Sequence, residues 1–162
     1  MIMTPEIKTT AVSYVVGFMF STDLMKVALI RKLKPAWQQG KLNGVGGKIE
    51  QGESGFAAMC REFAEETGYK TTIEEWGHFA EMFGDNDGGE GAFKVDFYAA
   101  ITGDIGLLRS TTQEQIEIVP TAYLSPMSFG VVENIPWLVS LAVDYMRDGR
   151  PCFVTAAYPK WR

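Results

Sequence analysis

The sequence is poor in the groups on which several enzyme classes depend. It holds one histidine, His78, and two cysteines, Cys60 and Cys152. A single imidazole leaves no room for a histidine-rich zinc site and argues against a Ser-His-Asp triad or a Cys–His pair. The two thiols form no C-x-x-C motif and are too few for a disulfide scaffold, so a reducing cytoplasm is the simpler setting. Lysine and arginine are scattered and the net charge is −5, which speaks against the basic face that grips a nucleic-acid polymer. No run of about 18 apolar residues is present to span a membrane. The opening MIMTPEIKTT lacks a basic and then an apolar region, so no signal peptide is expected.

What remains is an ordinary globular composition, 46% hydrophobic and 22% charged over 162 residues. That size fits one domain, 1–162, able to bury a core without staples. Apolar, Val-rich Ala11 to Phe20 predicts a buried strand, and Lys26 to Lys32 a second, with a turn at Ser21-Thr22-Asp23. Lys34 to Gly47 carries proline, glutamines and glycines without periodicity and predicts a loop. Ser54 to Thr67 is a helix: Phe56, Met59, Cys60 and Phe63 recur at helical spacing, Ser54 or Glu53 caps the start, and Gly68 sits where a C′ glycine belongs. Thr71 to Phe83 and Phe93 to Ile101 predict two strands joined by a flexible turn, Gly84 to Gly91. Ile116 to Leu124 and Cys152 to Ala157 predict further strands. Ile135 to Met146 predicts a second amphipathic helix with Pro136 in its first turn. The order suggests a mixed sheet with helices on its faces, α/β or α+β.

The chemistry concentrates in Gly47 to Tyr69, GKIEQGESGFAAMCREFAEETGY. Glu62, Glu65 and Glu66 fall at i, i+3 and i+4 and so share one helix face. Three like charges that close repel unless a cation sits among them, and hard divalent ions such as Mg²⁺ take oxygen ligands. The plainer alternative is a solvated acidic face with an i,i+4 pair from Arg61 to Glu65. Against it stand the glycines at both ends of the helix and Glu53, a little over two turns before Arg61 and able to face it.

The segment resembles the box of the Nudix hydrolase family, G-x5-E-x7-R-E-U-x-E-E-x-G-U with U bulky and aliphatic. Gly47, Glu53, Arg61, Glu62, Glu65, Glu66 and Gly68 all fall in place; the U positions hold the aromatics Phe63 and Tyr69. The resemblance implies an α/β/α sandwich with a mixed sheet and a Mg²⁺-dependent enzyme in which Mn²⁺ can substitute. It implies that Glu62, Glu65 and Glu66 bind metal, that Arg61 and Glu53 orient them, and that Gly46-Gly47-Lys48 brings backbone near metal and phosphates. Lys48 is a phosphate contact or a surface lysine. A carboxylate outside the box would accept the water's proton; Glu114 is the candidate and Glu117 the alternate, each otherwise a surface glutamate.

For substrate, WQQGKLNGVGGKIEQGE resembles the MutT-like branch, which cleaves nucleoside triphosphates, oxidised purine forms included, to monophosphate and pyrophosphate. There Asn43 would reach the base, with Glu133 and Asn134 as a second reading position; the alternatives are a turn at Asn43 and a helix cap at Asn134. Phe83, Phe129 and Trp137 could stack on a base, although aromatics are more often core. The rival substrates are ADP-ribose or another nucleotide sugar. The rival of another class is a silent nucleotide-sensing module, against which the intact charges of the box speak. The expected partner is a small nucleotide, with the chain a monomer or homodimer.

Overall fold

In the computed structural model of the protein, the structure describes residues 12–85, 92–124, 130–148 and 153–158. Strand β1 (Val12–Ser21) is the axis of an eight-stranded mixed sheet. Its alternation serves both faces: Val15 and Met19 turn to one side, Phe18 and Phe20 to the other, and all four are buried. Along one edge it pairs over its full length, in parallel, with β6 (Ala92–Thr102). The other edge is divided. Tyr14 to Gly17 pair with β4 (Val45–Lys48), whereas Met19 and Phe20 pair with β2 (Lys26–Arg31). Beyond its pairing with β1, β2 takes the short strand β3 (Leu42–Asn43) on one side and β7 (Gln115–Pro120) on the other. At the far end β5 (Gly77–Asp85) pairs antiparallel with β6, and β8 (Val154–Tyr158) runs parallel to β5.

Two helices cover the sheet. Helix α1 (Gly55–Thr67) buries Ala58, Met59 and Phe63 against Val15, Met19, Ala28, Ile30, Val45 and Trp76. Helix α2 (Ile135–Asp148) buries Ile135, Leu138, Val139 and Ala142 against Phe18, Phe20, Phe79 and Phe97 on the opposite face. The result is the α/β/α sandwich that the box implied. No helix among the described residues is long and apolar enough to cross a membrane.

Several expected boundaries shift for identifiable reasons. The supposed loop Lys34 to Gly47 contains β3 and enters β4; glycines carry no side-chain signal of a strand, yet their backbone pairs fully with β1. Within Thr71 to Phe83, a capping box between Thr72 and Glu75 closes a 3-10 turn at Ile73–Glu75, and the strand starts only at Gly77. Ile116 to Leu124 divides likewise, because the chain leaves the ladder at Pro120 and turns through Thr121–Tyr123. Gly84 and Asp85 belong to β5, whereas the rest of the expected turn, 86–91, lies outside the described residues, as do Ala11, Phe129 and Cys152.

Phe63, one of the two aromatic departures from the box, is fully buried. Its ring meets Trp76 edge-on at 5.2 Å and Tyr69 at 6.5 Å. The aromatic side chain therefore fills the space under α1 that the pattern assigns to an aliphatic one. Phe63→Ala is expected to cost about 3–5 kcal/mol by urea unfolding; a cost below about 1 kcal/mol would show that α1 does not depend on this packing.

Candidate active site

Helix α1 is delimited as its sequence suggests. Ser54, not Glu53, caps the start, its hydroxyl accepting the Ala57 N–H at 3.1 Å. Gly68 ends the helix in the left-handed conformation at φ 67°, where its N–H reaches the Ala64 carbonyl. Glu53 is thereby free to pair with Arg61, which it does through two hydrogen bonds, Nε to Oε1 at 2.8 Å and Nη2 to Oε2 at 2.9 Å. The same guanidinium donates to Glu62 Oε1 at 2.8 Å and to the Lys48 carbonyl at 3.0 Å. Glu65, the i,i+4 partner, lies farther off at 3.5 Å and is 59% exposed. The Arg61 fork holds the Glu53 carboxyl below the usual carboxylate range, and Glu53 and Glu62 hold the guanidinium above its own.

Glu66 is the anomalous group. Its Oε2 is sealed from solvent with no hydrogen-bond partner among the described residues. Burial is the main cause that raises its pKa, to about 7; Lys32 works against this, Glu62 and Glu114 add to it, and the Gly46 N–H opposes it. Glu114 completes the group. Its carboxylate takes the Lys32 ammonium at 2.6 Å and the Leu33 N–H at 2.8 Å. Burial pushes Glu114 upward, but Lys32 and the backbone donors outweigh it and hold the group low.

Lys32 escaped the sequence reading, although alternation could have found it. In KVALIRK it shares the parity of Ala28 and Ile30, both in the core under α1, so its ammonium was bound for the acidic face. Glu117 has the opposite fate. It makes a two-pronged ion pair with Arg31, whose Nη1 also reaches the Gly40 carbonyl at 2.7 Å. Glu117 therefore joins β7 to β2 and the following turn, and is not among the groups gathered around Glu66.

The base-reading candidates lie elsewhere. Asn43 donates from Nδ2 to Gln38 Oε1 at 3.0 Å, and its Oδ1 accepts the Gly44 N–H at 2.8 Å. One N–H and one lone pair of its amide remain, in an orientation that these two bonds fix. Glu133 pairs with Lys41 at 2.6 Å. Asn134 directs Nδ2 to the Met82 sulfur at 3.8 Å, while its carbonyl accepts the Leu138 N–H in the first turn of α2. Trp137 is 40% exposed, and Phe83 lies under the Lys94 ammonium, 5.9 Å from its ring centre. Lys48 is exposed at the end of β4.

The donor set suits a hard divalent cation. It is all oxygen, it includes a buried carboxylate oxygen without a partner, and Gly47 has no Cβ because one would collide with the Glu62 carboxylate. Among the described residues no three His, Cys, Asp or Glu side chains converge into a ready cage. An ion that keeps several waters and shares substrate phosphates needs only one or two protein carboxylates.

A model of the NUDIX domain matches residues 12–130. Among solved structures, a MutT from work on Aliivibrio salmonicida and Vibrio cholerae is 26% identical, with TM-score 0.60, over 82% of this chain and 96% of that one. The mutator MutT protein of Bacillus halodurans is 18% identical, with TM-score 0.64, over 92% and 91%. The NUDIX domain of Shewanella oneidensis NrtR, complexed with ADP ribose, is 16% identical, with TM-score 0.69, over 86% and 90%. No curated protein matches the sequence.

Because burial favours protonated Glu66, folding takes up a proton between its usual 4.5 and about 7. The stability this contributes is present in full below pH 4.5 and is lost as pH rises through about 7, on the order of 3 kcal/mol in all. Melting of the metal-free protein across that window is expected to show the fall. Glu66→Gln should flatten it, and added Mg²⁺ should raise the wild-type melting temperature most at the upper end. Equal pH slopes for the two proteins would refute the assignment.

Proposed function

The chain belongs to the NUDIX family, and on that premise we propose that it is a Mg²⁺-dependent hydrolase that converts a nucleoside triphosphate to the monophosphate and pyrophosphate. The broader class, a pyrophosphohydrolase acting on a nucleoside diphosphate linkage, follows from the family. The observation that carries the metal part of this reading is the Glu66 carboxylate, one oxygen of which is buried without a partner while Glu62 and Glu114 act on it. Such a group is stable as an anion only beside a cation.

In this reading Glu62, Glu65 and Glu66 hold the metal, with the Gly47 backbone beside them, and Mn²⁺ can replace Mg²⁺. A divalent cation bound there neutralises phosphate charge and makes water a stronger acid. The chain's own residues do the rest. Arg61, locked by Glu53, fixes the rotamer of Glu62 and, through the Lys48 carbonyl, the end of β4. Glu114 accepts the proton of the attacking water, and Lys32 keeps its carboxylate ionised and aimed. Lys48 offers an exposed ammonium to phosphate. Asn43 presents its remaining donor and acceptor to a purine edge, an 8-oxo form included, and Glu133 and Asn134 stand as the second reading position.

The triphosphate is favoured over ADP-ribose by the KLNGVGG run and by the identity to a MutT, higher than that to the ADP-ribose-binding domain. A panel of nucleoside triphosphates, 8-oxo purine forms and ADP-ribose, read by pyrophosphate and phosphate release, tests it. Turnover should stop with EDTA, and Glu66→Gln should lower kcat on the order of 100-fold or more. ADP-ribose as the best substrate would overturn the triphosphate reading, and turnover in metal-free buffer the metal one.

Asn43→Ala should lower kcat/KM for purine nucleotides by roughly 5- to 150-fold, the loss of about 1–3 kcal/mol when a base edge goes unpaired. Pyrimidine nucleotides should suffer less. Equal losses for both classes in a protein of unchanged thermal stability would remove Asn43 from base recognition.

A further inference from the structure

The segment between β6 and β7 carries Ser110, Thr111 and Thr112, and each of the three hydroxyls bonds to backbone. Thr111 bonds across to α1: its hydroxyl donates to the Glu65 carbonyl in a short hydrogen bond, and its N–H donates to the Glu66 carbonyl at 3.3 Å. The Arg109 N–H adds a third bond, to the Thr67 carbonyl at 3.1 Å. The two neighbours bond forward. Ser110 accepts the Ile116 N–H at 2.9 Å, and Thr112 accepts the Glu114 N–H at 3.2 Å. Thr111 thus stands between the carbonyls of two candidate metal ligands and the turn that presents Glu114.

The last carbonyls of a helix have no partner within it, and at this end of α1, where Thr67 is buried, the segment before Glu114 supplies donors to Glu65, Glu66 and Thr67. Thr111 is itself exposed. Its bonds to α1 fix position as well as satisfying the helix end. They set where the Glu114 turn lies along the end of α1, and hence where the Glu114 carboxylate lies relative to Glu66.

We propose that Thr111 is a positioning residue that registers Glu114 against the metal-holding face of α1. This rests on the hydrolase reading above, with Glu114 as proton acceptor. The carboxylate contacts of Glu114, with the Lys32 ammonium and the Leu33 and Lys34 N–H groups, come from the segment that follows β2. They anchor the carboxylate to the sheet. Thr111 supplies the one tie from this turn's hydroxyls to the helix that carries Glu65 and Glu66.

The test has two parts. First, amide hydrogen exchange is compared between the wild type and Thr111→Val, which keeps the shape and removes the hydroxyl. Exchange at Glu114 and Ile116 should rise by about tenfold or more, with Phe79 and Phe97 in the core unchanged. This part does not depend on turnover. Second, nucleotide hydrolysis with Mg²⁺ is measured for the wild type, Thr111→Val, Thr111→Ser, Glu114→Gln and the Thr111→Val/Glu114→Gln double variant. Thr111→Val should lower kcat about tenfold, the scale of a sub-ångström misplacement, with KM within about twofold. Thr111→Ser should restore kcat. In the Glu114→Gln background, Thr111→Val should add nothing, because the group it positions is already gone. Unchanged exchange, an additive loss in the double variant, no rescue by serine, or wild-type kcat in Glu114→Gln would each overturn the proposal. A wild type that cleaves no nucleotide in the presence of Mg²⁺ would overturn the hydrolase reading instead, and the exchange data alone would then decide whether Thr111 holds the turn.

Discussion

Arg61 spreads its N–H donors over Glu53, Glu62 and the Lys48 carbonyl. One guanidinium thus joins the turn before α1, the middle of the helix and the end of β4. Its planar fork suits this role, since two parallel bonds to Glu53 fix its plane and leave the remaining donors aimed. A lysine in its place would offer one point charge with no preferred plane. The spacing of eight residues between Glu53 and Arg61 is therefore a geometric requirement: it puts the acceptor beyond the capped end of the helix and the donor two turns in.

Charge balance explains why the site is organised and yet strained. Among the described residues, Glu53, Glu62, Glu65 and Glu114 share two cations in their ion pairs, Arg61 and Lys32. Arg61 is spent on Glu53 and Glu62, and Lys32 on Glu114. Glu66 is left with a backbone N–H and a sealed oxygen, and burial pushes its pKa up to about 7. The deficit of positive charge is concentrated at one carboxylate, where a divalent ion would relieve the most repulsion and burial cost together.

The helix and its acidic face were legible because side-chain period and capping residues speak directly. A mixed sheet with helices on its faces was legible from the order of elements, and its α/β/α form from the resemblance of the box. The glycine-rich strand β4 was not, because its pairing with β1 uses backbone alone. Lys32 was passed over, although the parity of β2 placed it with Ala28 and Ile30. Glu114 stood ahead of Glu117 in the sequence for its place just before a predicted strand; the register of β7 on β2, with Leu29 opposite Glu117, and the Arg31 pair set the two apart in the structure. Asn43 and Gln38 lie five residues apart in a stretch without periodicity, so their contact depends on the turn that returns β3 to β2.

The divided edge of β1 is what allows these parts to meet. Because β4 pairs with Tyr14 to Gly17 and β2 only with Met19 and Phe20, the two strands share an edge without lying side by side along it. The glycines of β4 can therefore pass directly beneath α1, where a Cβ at Gly47 would strike Glu62. β2 stays paired with β7 along its whole length, past the point where it leaves β1, and this brings Lys32 to Glu114. Glu66 lies where both influences are felt, pulled down by the Gly46 N–H from β4 and by the Lys32 charge from β2. A continuous pairing of β1 with a single neighbour would supply one of these but not the other. The branch in the sheet, a feature of backbone topology, thus sets the electrostatics of the carboxylate on which the proposed chemistry turns.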